Sequence, residues 1–534
     1  MGRVPRHLAA AGRRRLAAAG GKSEGDGENV MAKGLARHGV RAGCALVAVA
    51  SLGGLASAVA AAGPAVGAVR AVHAARTAGQ AARAAHAART ATAQTPSAVG
   101  PADWPAYLDG PGHTSDNLAQ VAITPGNAAA LVQKWHFVGD PPTQQGQPGP
   151  TFNASPTVAD GAVFIGSRTG WFYKLDESTG NVLDKVFFGF QPHHTCTAGG
   201  LIATATVAKD PSDGQDTVYV GAPDGYLYAL RASDLSVKWR SVIAIPSTTV
   251  SDYFQWSSPT VANGRIYIGV SSHCDKPLIR GGVIGYSQAT GKIFGRYFDV
   301  PKGVVGGSVW SSVAAGSRYV FVTTGNGADG ATIPYDTVSV VELRAKTLAR
   351  VAKFRPPASQ LGFDRDFGAS PARFGTLVGA CNKNGLFYAL HVPSMTLAWE
   401  RRVATSPGTT PRPTCLAASA YDGKHLYVAA TATVIAGKTV QGSVRQLDPA
   451  TGRVLWQTGL PNGVLGSPSL DGAGVLAVGT YGAATTPNAV YLLNARTGHI
   501  LRTLITGGHD FAQSTFADGW LFTANDTGVY AWGP

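Results

Sequence analysis

Methionine is scarce in this chain, at 3 of 534 residues, and only 14% of the residues are charged. Such sparse charge beside 68 glycines disfavours a helical protein and points to a turn-rich β-protein. Cysteine is limited to five residues, and no Cys-x-x-Cys-His occurs, which excludes a c-type haem. No two cysteines have the spacing of metal ligands. Gly-x-Ser-x-Gly is absent from residues 101–534, which excludes a nucleophile elbow there. The run Gly325–Gly330 has the Gly-x-Gly-x-x-Gly form, but it leads into ATIPYDTV instead of a helix, so dinucleotide binding is excluded. Acidic residues are outnumbered, 31 against 45 basic, for a net charge of +14. Residues 1–100 hold 13 of the basic and 3 of the acidic residues, leaving 32 and 28 in the remainder. That remainder is nearly balanced, which removes the main argument for a nucleic-acid partner.

Residues 1–62 read as an N-terminal extension and export signal. Met31 opens a basic stretch (Lys33, Arg37, Arg41), an apolar run follows from Ala42 to Ala62, and small residues at Ala58–Ala62 suit cleavage. The run is also long enough to span a bilayer. Its glycines and its small-residue end favour a cleaved signal, and hence a secreted protein, over a membrane anchor. Cys44 lies at the beginning of the run, which argues against a lipid anchor. Residues 63–100 are alanine-rich with spaced Arg and His and no apolar stripe, and are read as a linker.

From residue 101 onward the chain repeats. SPTVADGAVFIG at Ser155 returns as SPTVANGRIYIGV at Ser258 and SPSLDGAGVLAVGT at Ser467. Eight third strands line up, beginning at Trp171, Tyr226, Gly282, Val338, Leu386, Ser443, Ala489 and Gly528. A period of about 45–58 residues with four strands per unit is the pattern of a β-propeller. Residues 101–534 are thus expected to form an all-β, eight-bladed propeller. The last unit stops at Pro534, straight after its third strand, and LVQKWHFV (Leu131–Val138) is expected to supply the missing outer strand and close the ring. Apart from Cys44, four cysteines remain. Neighbouring blades suggest the bridges Cys196–Cys274 and Cys381–Cys415, although sequence alone does not decide connectivity.

One stretch concentrates chemistry. VVGGSVWSSVAAGSRYVFVTTGN places Trp310 one strand ahead of Asn326, a flat aromatic and an amide oxygen suited to a planar ligand with a hard cation beside it. An indole in a β-protein is more often core, and Gly-Asn is more often only a tight turn.

DPATGRVLW, with Asp448, Thr451, Gly452 and Trp456, resembles the docking motif of the pyrroloquinoline quinone (PQQ) repeat family; Asp176, Thr179 and Gly180 match it without the tryptophan. Within that family, GGSVW…TGN resembles the run of quinoprotein alcohol dehydrogenases that supplies a quinone-stacking tryptophan and a calcium-binding asparagine. The resemblance implies Trp310 as floor and Asn326 as cation ligand. It places Asp275 where the family has a calcium-binding glutamate, Asp364 or Asp366 as the catalytic base, and Lys383 as the partner of the quinone carbonyls. The implied cofactors are PQQ and calcium, and the implied partners are an alcohol substrate and an external electron acceptor. The adjacent-cysteine pair of the alcohol dehydrogenases and any cytochrome domain are missing. A secreted polyvinyl-alcohol-dehydrogenase-like protein oxidising secondary alcohols, polymeric or small, is the nearest expectation. A non-enzymatic propeller scaffolding the cell envelope is the alternative.

Overall fold

Each of the eight expected third strands is a strand, from Trp171–Asp176 in blade 1 to Gly528–Gly533 in blade 8. The computed structural model describes residues 102–191, 199–328, 335–405, 415–482 and 486–534. These fall in the compact unit Ala91–Pro534. The expected export signal and linker, and Cys196, lie outside the described residues. In blade 1 the strands Thr157–Ala159, Ala162–Gly166, Trp171–Asp176 and Val182–Phe187 follow one another outward from the channel, all antiparallel. The other blades repeat this order, and blade 6 adds a hairpin, Thr433–Ile435 with Lys438–Val440.

Strand position within the blade decides composition. Second strands such as Ala162–Gly166 and Leu426–Ala430 are buried along their whole length, because neighbouring blades cover both faces. They are therefore unbroken apolar runs. The outer strand Val182–Phe187 instead alternates between exposed and half-buried residues.

The ring closes as the sequence predicts. Val132–Phe137 pairs antiparallel with Gly528–Gly533, from Val132 opposite Gly533 to Phe137 opposite Val529, and becomes the outer strand of blade 8.

Two periodic contacts join the blades. In the first, an outer-strand indole rests on a glycine of the next blade. Asp176 accepts the backbone N–H groups of Ser178 and Thr179, and this turn holds Gly180 at φ +71°. A Cβ on Gly180 would meet the indole of Trp135, whose Nε1–H donates to Glu177 O at 2.8 Å. Trp399 lies in the same way on Gly452, and Trp456 on Gly498, donating to Pro449 O and Ala495 O. Gly180 thus receives Trp135 of the closing strand as Gly452 receives Trp399, while the place of the motif's own tryptophan in blade 1 is held by Asp184.

The second contact is a girdle of hydroxyls around the channel, two residues ahead of each inner strand. The N–H of Ser155 donates to Thr204 Oγ1, that of Thr204 to Ser258 Oγ, that of Ser258 to Ser312 Oγ, and that of Ser312 to Ser370 Oγ, all at 2.8–3.0 Å. Ala418 N–H to Ser467 Oγ and Gln513 N–H to Ser155 Oγ, both at 3.0 Å, continue it. The repeated serine of the SPT units is therefore a blade-to-blade lock.

The largest departure from expectation is the segment Ala102–Gln120, which the sequence presents as featureless. It threads the inner edges of the blades. Its carbonyls at Ala102, Trp104, Pro105, Pro111, Gly112, Thr114 and Ser115 accept N–H groups of Asp518, Val158, Val207, Ala315, Arg373, Tyr421 and Leu470. Those donors belong to seven of the eight blades. Asp116–Asn117 adds a fifth, parallel strand to blade 7 beside Leu470–Asp471. Trp104 is fully buried, and Asn117 Nδ2 donates to Ala102 O, Asp103 O and Phe516 O. Positive φ at Leu108, Asp109, His113 and Ser115 turns the segment within this small circle. Such strain persists only where the surroundings over-determine it, here through Leu108 N–H to Gln513 Oε1 and Ser115 Oγ–H to Pro468 O.

Candidate functional site

All six residues singled out from the sequence lie at one end of the ring. Chain direction explains this, because connections leading into inner strands and turns leaving second strands share that end. Trp310 is four residues ahead of the inner strand of blade 4, Ala314–Ala315, and Asn326 follows the second strand of the same blade, Tyr319–Thr323. Asp275 follows the second strand of blade 3, Arg265–Val270. Asp364 and Asp366 lie in the connection into the inner strand of blade 5, Ala372–Phe374, and Lys383 in the turn after its second strand, Leu377–Cys381. That turn is tied to blade 6 by the disulfide Cys381–Cys415, with Cα atoms 5.4 Å apart. Cys274 is also disulfide-bonded, and its expected partner Cys196 lies outside the described residues.

The side chains converge. Lys383 Nζ lies 2.7 Å from Asp364 Oδ1 and 2.6 Å from Asp366 Oδ1, and 5.1 Å from the centre of the Trp310 ring. The contact to Asp366 is a buried ion pair. Trp310 Nε1–H donates to Asp366 Oδ2 at 3.3 Å. Asn326 Nδ2 donates at 3.1 Å both to Asp275 Oδ2 and to Asp364 Oδ1. Asp275 is held in turn by Ser272 Oγ–H at 2.5 Å, and Ser308 Oγ accepts the Ser272 N–H. Ser308 falls in the GGSVW run, but the sequence alone gives neither it nor Ser272 a role.

Burial separates the two aspartates. Asp366 is 1% exposed, whereas the Asp364 side chain is 34% exposed and faces the mouth. Burial pushes the Asp366 carboxyl above its ordinary range, and the Lys383 ammonium only partly offsets this. Burial alone would lower Lys383, but Asp366 and Asp364 outweigh it and hold the ammonium charged.

Among the described residues, no three His, Cys, Asp or Glu side chains are arranged to hold a metal. The donor set here is different: two carboxylates, Asp275 and Asp364, meet at the amide nitrogen of Asn326, whose Oδ1 is buried and has no hydrogen-bond partner among the described residues. An orphaned amide oxygen beside two carboxylates fits a hard cation. The half-buried Trp310 ring with the Lys383 ammonium over it fits a planar acceptor carrying carbonyl oxygens.

Below Trp310 lies a cavity of about 70 Å³, room for a few waters. Its walls include the hydroxyl girdle, and Tyr107 of the threaded segment forms part of its lining, with its hydroxyl 3.3 Å from Ser467 Oγ.

The family model described as outer membrane protein assembly factor BamB, a PQQ-type repeat, matches residues 133–327 and 383–532. Among solved structures, quinohemoprotein alcohol dehydrogenase ADHIIG from Pseudomonas putida HK5 superposes with a TM-score of 0.64 at 16% identity, over 80% of this chain and 76% of that one. Quinohemoprotein alcohol dehydrogenase from Comamonas testosteroni gives 0.62 at 16% identity, over 84% and 82%. A europium-containing methanol dehydrogenase gives 0.62 at 14% identity, over 80% and 91%. No curated protein matches the sequence. At these identities the structural likeness establishes a shared fold.

Proposed function

The chain belongs to the PQQ-type repeat family described as outer membrane protein assembly factor BamB, and on that footing we propose that it is a PQQ- and calcium-dependent alcohol dehydrogenase acting outside the cytoplasm. The observation that carries this reading is the meeting of Trp310, Lys383, Asp364, Asp366, Asn326 and Asp275 at one mouth of the ring. Its substrates are secondary alcohols, polymeric or small, and its electrons pass to an external acceptor.

Bound PQQ with calcium supplies a two-electron acceptor whose carbonyl is polarised by the cation. Asn326 and Asp275 would hold the cation, Trp310 would carry the ring system, and Lys383 would meet its carbonyl oxygens. Asp364 is the proton acceptor in this reading, because a base must reach the hydroxyl it deprotonates and Asp364 is the more exposed carboxylate. Asp366 is then a positioning residue that fixes both Trp310 Nε1 and Lys383 Nζ. Export belongs to the same reading: residues 1–62 have the pattern of a cleaved signal, and the Cys381–Cys415 disulfide suits an oxidising compartment.

Titration of the purified chain with PQQ and calcium, followed by dye-linked oxidation of secondary alcohols, tests the proposal. Binding at micromolar PQQ with turnover supports it. Absence of binding with calcium present removes the enzyme reading. The second reading, a non-enzymatic envelope scaffold, draws on the description of the family model and takes its place in that case.

A further inference from the structure

The residue two places ahead of the hydroxyl girdle forms a collar around the mouth of the channel. In six blades the place is filled by Asn153, Ile202, Trp256, Leu416, Leu465 and Phe511, and in blade 4 by Trp310. Blade 5 alone has glycine there, Gly368. A Cβ built on Gly368 would collide with two carbons of the Trp310 six-membered ring and with Leu416 Cδ2. The indole of blade 4 therefore lies across the place that blade 5 leaves empty.

From this we infer that Gly368 is the positioning residue of the Trp310 floor: its missing side chain lets the indole lie over the neighbouring blade, with Nε1 brought to Asp366. The backbone of Gly368 has no left-handed φ. Glycine is thus needed there for the space and not for backbone freedom. The short link Asp366-Phe367-Gly368 couples the two contacts, since one end accepts the indole N–H and the other makes room for its ring. A methyl group at 368 tips the ring away and breaks the bond to Asp366 Oδ2. In cofactor terms the inference rests on the dehydrogenase reading, but the placement of the indole does not.

The test compares Gly368→Ala, Gly368→Val, Trp310→Phe, Trp310→Ala and the double variant Gly368→Ala/Trp310→Ala with the full chain. The near-ultraviolet circular dichroism lost in Trp310→Phe defines the Trp310 signal. Gly368→Ala should lose most of that signal with an unchanged far-ultraviolet spectrum, and Gly368→Val all of it. PQQ affinity should fall at least tenfold in Gly368→Ala, whereas the double variant should bind no more weakly than Trp310→Ala alone. If Gly368→Ala fails to fold, recovery of folding in the double variant supports the inference, and failure of both overturns it. An unchanged Trp310 signal in Gly368→Ala also overturns it. If the wild type binds no PQQ, the functional reading fails while the dichroism comparison still decides the role of Gly368.

Discussion

At the scale of single residues, the proposed roles separate binding from turnover. Asp364→Asn should leave PQQ bound, because Lys383 keeps Asp366 as partner, and should stop alcohol oxidation; stopped-flow turnover beside a binding titration checks this. Asn326→Ala should cost calcium-dependent binding, since it removes the amide whose Nδ2 bonds the two carboxylates and whose oxygen is the neutral ligand of the proposed cation, and isothermal titration with calcium alone reads it. Lys383→Met removes the cation beside a buried carboxylate. It should destabilise the fold by up to ~3 kcal/mol at neutral pH. The sign of its pH dependence follows from Asp366, whose carboxyl already takes up a proton more readily than usual. As pH falls Asp366 becomes neutral and the deficit should shrink, which chemical denaturation at two pH values will show. These six residues were legible because each falls at a fixed place in a repeat and in a recognisable run. Gly368 was not, because its significance is an empty volume created by folding, and Ser272 acts only through Asp275.

At the scale of elements, two contacts invite a direct test. Gly452 has φ +66°, and its missing Cβ is where the Trp399 indole lies. Gly452→Ala should therefore cost about 1–3 kcal/mol, read from the thermal transition. The threaded segment carries His113, fully buried, with Nδ1–H donating to Pro371 O at 2.9 Å. Burial pushes its pKa down to about 4, against 6.5 for an ordinary imidazole. Between these values the unfolded chain binds a proton that the folded chain refuses, so stability contributed by the neutral ring is lost as pH drops through that window. The loss is bounded by roughly 3 kcal/mol, at 1.36 kcal/mol per pKa unit. The difference in unfolding free energy between wild type and His113→Gln, followed from pH 7 to pH 4, should change by that order and in that direction.

At the scale of the whole molecule, the ring depends on its first described residues twice over. Residues 102–120 stitch the inner edges of seven blades, and Val132–Phe137 completes blade 8. Deleting residues 102–138 should thus abolish cooperative unfolding and expose an apolar blade edge that aggregates. A truncated chain with an unchanged melting transition would refute closure. The closing strand was legible because the last unit visibly lacks a fourth strand. The threaded segment was not, because it has no period of its own and bonds through carbonyls, which every residue possesses. The blade locks stood in between: the SPT repeat was plain, but that its serine reaches into the next blade emerges only when neighbouring units are set side by side. The threaded segment also has a kinetic meaning. Its Tyr107 lines the cavity beneath Trp310, so a segment that belongs to no blade fills part of the channel below the floor. If, in the proposed dehydrogenase, alcohol, oxidised product and electron acceptor all reach the site from the Asp364 side, they share one doorway, and whichever occupies it shuts the others out. Turnover would alternate between a reducing and an oxidising visit, giving parallel lines in double-reciprocal plots as acceptor concentration is varied, with each reactant inhibiting at high concentration by blocking the turn of the other.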